Sequence, residues 1–159
     1  VHYHNITQSQ WRYDPISKSY LRWTDLTDGS GTLIPATDRL TGRQQSFENV
    51  IVVFAEHMRI RHNQFEIDLG AGKRGYAYLF RDGQYFPIRW ATVSRAWEKA
   101  SGLPRPMYFL DTNNNPIALH PGRTWIHLVT PFSHVEDQGN GQWLVWFVQP
   151  ADPEDTPTP

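Results

Sequence analysis

The sequence contains no cysteine. That absence excludes a disulfide framework, a thiolate zinc site, an iron–sulfur cluster and a cysteine nucleophile. It leaves the compartment open, because cysteine-free chains are compatible with either side of a membrane. Charge is also scarce, at 19% of 159 residues, and it balances to a formal net charge of −1. A nucleic-acid binder presents a basic surplus to phosphate, and this chain has none. Long apolar runs are missing as well: no stretch approaches the roughly 18 residues that a membrane-spanning helix requires. The opening residues, Val1-His2-Tyr3-His4, supply neither the basic nor the apolar region of a signal peptide. With no initiating Met, the chain is expected to be a processed or trimmed product with sequence upstream.

Aromatic side chains are abundant: seven Trp, seven Tyr and eight Phe, 14% of the total. Rings of this size bury enough area to offset the entropy of ordering the backbone, so disorder of the whole chain is excluded. Residues 1–148 are expected to form one β domain, a length that suits a single core. Residues 149–159 are rich in Pro, Asp and Thr, and they are expected to form a disordered tail.

Strand signals dominate the rest. Gln10–Asp14 and Ser19–Thr24 are aromatic-rich runs joined by Pro15-Ile16-Ser17-Lys18, the pattern of a hairpin. Phe47–Ala55 is a continuous apolar, β-branched run, as in a strand covered on both faces. Phe65–Leu69 alternates apolar and acidic residues and reads as half-buried. Tyr76–Phe80 and Tyr85–Trp90 flank Arg81-Asp82-Gly83-Gln84, whose Asp-Gly pair is the strongest short hairpin signal. Pro106–Leu110, Ile117–Leu119, Thr124–Val129 and Gln142–Val148 complete the set. Only Ala91–Ser101 reads as a helix, with Val93, Trp97 and Ala100 on one face. The expected fold is all-β, an antiparallel sandwich or irregular barrel with at most one short helix.

Few residues point to chemistry. His57 and His62 flank Arg59 and Arg61, whose charges disfavour a divalent ion. His120, His127 and His134 are spaced by seven with no helix to bring them together. The seven histidines read as surface and packing residues, and no metal or cofactor is expected. There is no Gly-x-Ser-x-Gly elbow and no phosphate loop. Asp38, Asp68 and Asp111 lie beside turns, where they display a carboxylate or hydrogen-bond local backbone. A carboxylate-based hydrolase using Asp38 and Asp111 is therefore one alternative. Asn5-Ile6-Thr7 forms an N-glycosylation triplet. The densest functional signal is the first hairpin, where Trp11, Tyr13, Tyr20 and Trp23 are interleaved with Arg12 and Arg22. These six are the candidate ligand-binding residues, because a flat ring stacks on the C–H face of a sugar or on a partner surface.

The motifs also occur in a recognisable order. Trp11-Arg12-Tyr13-Asp14 and Tyr20-Leu21-Arg22 precede Asp38, Thr41-Gly42 and Asn49-Val50-Ile51-Val52-Val53. Gly70-Ala71-Gly72, Phe80-Arg81-Asp82-Gly83, Trp90, Asn115-Pro116-Ile117-Ala118-Leu119 and Pro121-Gly122-Arg123-Thr124-Trp125-Ile126 follow. From Gln10 to Phe132 this series resembles the C-terminal β domain of the YerB-like lipoprotein family, bacterial envelope proteins of unknown function. The resemblance implies an extracytoplasmic protein, often held by a lipidated cysteine, with another domain upstream. This sequence has no such cysteine, and the family brings no catalytic residues. The expected function is a non-catalytic, extracytoplasmic binding module for a partner protein or a cell-wall glycan. A structural subunit of a surface assembly is the other alternative. Within the motifs, Asn49 opens the buried strand, where its amide is placed to tie down a neighbouring loop.

Overall fold

The computed structural model describes residues 1–4, 7–61, 64–139 and 142–150. Asn5 and Ile6 of the glycosylation triplet, His62, and the tail from residue 151 lie outside the described residues. The chain forms β1 (His2–His4), β2 (Thr7–Asp14), β3 (Ser19–Asp25), β4 (Leu33–Pro35) and β5 (Ser46–Phe47). It continues with β6 (Asn49–Phe54), β7 (His57–Arg61), β8 (Gln64–Ile67), β9 (Arg74–Arg81) and β10 (Gln84–Thr92). After the helix α1 (Arg95–Ser101) come β11 (Met107–Leu110), β12 (Thr124–Val129), β13 (His134–Gly139) and β14 (Gln142–Trp146).

Among the described residues the fold is all-β with one short helix, and its sheets are open. The first sheet runs β13-β14-β1-β2-β3-β4, with β5 added beside β3. The second runs β11-β10-β9-β6-β12, while β7 and β8 form a separate two-stranded pair. Most neighbours are antiparallel, but β6 and β12 are parallel, as are β1 and β14. The sheets are therefore mixed.

β6 shows why the second sheet is central. Val50, Ile51, Val52 and Val53 are all buried, so the strand is covered on either side of the pleat. On one side Ile51 and Val53 join Ala77, Leu79, Ile88 and Trp90, under Ile67, Leu69, Ile117 and Leu119. On the other, Val52 and Val129 meet Val145 of the first sheet. Asn49, fully buried at the start of β6, donates from Nδ2 to the His120 carbonyl and accepts from the His120 N–H, both at 2.8 Å. Its amide thus ties down the loop before β12.

The Asp-Gly turn forms as its sequence requires. Asp82 and Gly83 have φ values of 53° and 72°, the paired positive angles of a two-residue hairpin turn. The expected helix is shorter than its pattern. Ala91 and Thr92 stay in β10, where they pair with Tyr108 and Met107, because ladder pairing outweighs a weak helical periodicity. Ser94 then caps the helix by accepting the Trp97 N–H, and no helix residue is buried. Ile117–Leu119 is not a strand. Its Ile and Leu pack on the core, and the one bridge nearby, Leu110 to Pro116, falls just before the segment.

Trp90 closes the core by donating its indole N–H to the Phe54 carbonyl at 2.8 Å, directly over Gly75. A Cβ at Gly75 would lie 2.6 Å from Trp90 Nε1 and 2.8 Å from the Phe54 oxygen. Gly75→Ala is accordingly expected to lower stability by about 2 kcal/mol in denaturant unfolding, through overpacking rather than backbone strain. A loss below about 0.5 kcal/mol would contradict that account of the Trp90 packing.

Candidate functional site

Alternation along the first hairpin divides the candidate residues between two faces. Trp11 pairs with Arg22 and Tyr13 with Tyr20, so these four side chains share the face turned to the second sheet. Arg12 and Trp23 lie on the opposite face, with the Arg12 guanidinium 4.0 Å from the Trp23 ring centroid. The six residues therefore form two groups. Tyr20 belongs to the core, only 6% exposed, and its hydroxyl accepts the Gly83 N–H at 3.1 Å. Tyr13 packs on Gly83 so closely that a Cβ there would meet the ring at 2.8 Å. The hairpin thus grips the β9–β10 turn.

Behind Trp11 the two sheets meet through an aromatic layer. Trp11 contacts Phe47, Trp125 and His127, with ring centroids 5.5–5.9 Å apart. Arg22 lies over Trp125, 4.4 Å from its centroid, and burial pulls the guanidinium pKa below its ordinary value. Its Nη1 donates to Gln45 Oε1 at 3.0 Å. At the centre, the Trp11 indole N–H donates to His127 Nε2 at 2.9 Å. An indole nitrogen can only donate, so Nε2 must accept and the ring proton must sit on Nδ1. That proton points to the Tyr3 hydroxyl at 3.1 Å, which passes its own to the Leu128 carbonyl at 3.3 Å. Burial pushes the Tyr3 phenol up to about 12. Burial also lowers His127 to about 3, and the charge of Arg22 acts in the same direction. His127 is a packing histidine, held neutral.

Beside this layer an open cleft of about 790 Å³ separates the sheets. Trp11, Arg12, Tyr13 and Tyr20 line it, whereas Arg22 and Trp23 do not. The opposite wall comes from Phe80 and Tyr85 of the second sheet, and Trp143, on β14 of the first sheet, reaches across to it; all three lie outside the candidate set. Tyr85 and Trp143 stack with centroids 4.0 Å apart and planes 17° apart. Burial and the neighbouring Tyr78 hold the Tyr85 phenol above its ordinary pKa. Gln8, Gln10, Gln84, Gln138 and Gln142 also border it, and among the described residues no carboxylate does. The sequence signal for Tyr85 was its place in the second aromatic run. Trp143 carried no signal of its own, since only the pairing of β13–β14 onto β1 brings it there.

The candidate acids stand elsewhere. Asp38 Oδ1 accepts from the backbone of Leu40 and Thr41 and from the Thr41 hydroxyl, which holds its pKa low. Asp111 Oδ1 accepts the Asn113 and Asn115 N–H groups, both at 2.8 Å, with the same effect. Asp68 pairs with Lys73 at 2.6 Å. All three serve turns, and none lines the cleft. Among the described residues, no group of three or more His, Asp or Glu side chains is arranged to hold a metal ion. Nor, among them, is any helix long and apolar enough to cross a membrane.

Fold and site together define an all-β protein of open mixed sheets with an aromatic cleft between the two largest. The chain belongs to the family described as "Protein of unknown function (DUF3048) C-terminal domain", which it matches over residues 1–126. It is 28% identical over 127 residues to the "Putative lipoprotein YerB" of Bacillus subtilis, covering 79% of this chain and 32% of that protein. The crystal structure of the YerB protein from Bacillus subtilis superposes with a TM-score of 0.57 at 26% identity. That match covers 76% of this chain and 35% of the other. The chain thus spans about a third of the length of the relatives it matches.

The neutral state of His127 has a measurable consequence. The folded chain takes up the proton less readily than the unfolded one, so acid favours unfolding as pH falls through the ordinary histidine range. Between about pH 6 and 4.5, above the range of the turn carboxylates, His127 is expected to remove roughly 1.4 kcal/mol of stability per pH unit. His127→Gln keeps an acceptor for Trp11 and is expected to flatten that slope in denaturant titrations. An unchanged slope would contradict the neutral state of His127.

Proposed function

We propose that this chain is a non-catalytic, extracytoplasmic β module of a bacterial cell-envelope protein, and that it binds a cell-wall glycan in the inter-sheet cleft. Residues 1–148 act as its single domain. The observation that carries this reading is the lining: Trp11, Tyr13, Tyr85 and Trp143 together with five glutamines, and no carboxylate among the described residues that border the cleft. A flat ring offers its face to the apolar C–H side of a sugar, and amides both donate to and accept from hydroxyls. The volume of about 790 Å³ falls within the usual range for small-molecule and oligomer sites. Glycosidic cleavage takes two carboxyl groups across the bond, so a cleft lined in this way favours holding a glycan over cutting it. The envelope location rests on the relative whose printed name is a lipoprotein.

Calorimetric titration with chitohexaose, the β-1,4-linked hexamer of N-acetylglucosamine, tests the reading. Binding is expected in the millimolar range or tighter. Trp143→Ala, which removes the ring stacked on Tyr85, is expected to weaken it roughly tenfold. Trp97→Ala, on the helix and outside the lining, should leave it unchanged. No binding at millimolar ligand overturns the glycan reading. An effect of Trp97→Ala equal to that of Trp143→Ala overturns the site.

A further inference from the structure

The face of the second sheet that forms the cleft wall continues beyond the cover of the first sheet. On β9, Arg74, Tyr76, Tyr78 and Phe80 share this face, opposite the buried Ala77 and Leu79. Four alternate positions span about 20 Å along a strand. Register places Tyr85 beside Phe80, Pro87 beside Tyr78 and Arg89 beside Tyr76 on β10, with Tyr108 of β11 beside Ala91. The face therefore passes from the Tyr85–Trp143 stack, through Tyr78 at 5.1 Å from Tyr85, to an open platform. On that platform Tyr76 is 71% exposed and Tyr108 is 41% exposed, and Pro87, Arg74 and Arg89 are exposed with them.

The charge on these strands is one-sided. Residues 74–81, 84–92 and 107–110 include Arg74, Arg81 and Arg89 and no Asp or Glu. Arg81 is turned to the other face, where it donates to the Ala118 carbonyl. Arg89 donates to the Asn114 amide oxygen at 3.2 Å, a neutral partner. In a chain whose net charge is −1, a three-strand stretch with cations alone is a local departure that attracts anions. The platform is open at its far end, so it suits a long ligand better than a small one.

We infer that Arg74, Tyr76, Arg89 and Tyr108 form a docking surface for an acidic linear polysaccharide, whose adjoining sugars occupy the cleft. This rests on the glycan reading above and adds to it the charge and the chain length of the ligand. The tyrosine faces take the sugar rings, and the two guanidinium groups pair with carboxylates or other anionic substituents along the chain.

Parallel titrations with a hyaluronan hexasaccharide and with chitohexaose separate the two claims. The acidic hexamer is expected to bind about tenfold tighter at low ionic strength, and the advantage should shrink several-fold near 0.5 M salt. Arg74→Gln combined with Arg89→Gln should bring the acidic hexamer down to the affinity of the neutral one. Both sites are exposed, so circular dichroism should show the variant folded. Equal affinity for the two hexamers overturns the acidic ligand while leaving the cleft reading intact. No binding of either overturns both. An acidic preference that survives the double substitution overturns the surface. A poly-glutamate peptide binding as tightly as the hyaluronan hexamer overturns the saccharide assignment, since charge alone would then explain it.

Discussion

The hydrogen bond from Trp11 to His127 is the constraint on which the relation between the two sheets depends. It crosses from β2 to β12 inside an aromatic layer, where an unpaired polar atom is costly. The indole can only donate, so the imidazole must stay neutral and must turn its proton toward Tyr3. One bond thereby fixes a tautomer, a protonation state and the position of three rings. A second anchor lies at the β9–β10 turn, where Tyr20 accepts the Gly83 N–H and Tyr13 covers the glycine. The cleft lies beside these anchors, and its two walls are positioned by them.

Local chemistry made part of this legible in the sequence. Asp82-Gly83 announces a turn with two positive φ angles, and such a turn forms. The apolar run around Ile51 announces a strand covered on both faces, and β6 is buried throughout most of its length. Asn49 at the head of that run ties down the His120 loop. These features depend on neighbours in sequence, or on burial alone. Short strands such as β1, β4 and β5 were not legible, because two or three residues carry no periodicity. The parallel pairing of β6 with β12 joins segments far apart in the chain, and no local pattern encodes it. For the same reason Ala91 and Thr92 went to a strand, not to the helix their periodicity suggested.

The candidate site was legible in residue type but not in arrangement. The aromatic density of the first hairpin drew attention to Trp11 and Tyr13, which line the cleft. Strand alternation then turned Trp23 to the far face and placed Tyr20 in the core. Tyr85 of the other wall and Trp143 of the first sheet come together only when β14 joins β1 and the sheets stack. Aromatic residues in this chain therefore do two jobs. Those at His127 hold the sheets together, with Trp11 reaching from that layer to the cleft, while Tyr76 and Tyr108 on the β9–β11 face are exposed to solvent.

The central claim is that a glycan lies in the cleft between the sheets, and the indole N–H signals of the seven tryptophans test it directly. In nitrogen–proton correlation spectra recorded during titration with chitohexaose, the indoles of Trp143 and Trp11 are predicted to shift. Those of Trp90, locked to the Phe54 carbonyl, and Trp97, on the helix, are predicted to stay in place. Shifts confined to Trp97 or Trp23, or no shift in any indole at saturating ligand, would contradict the account.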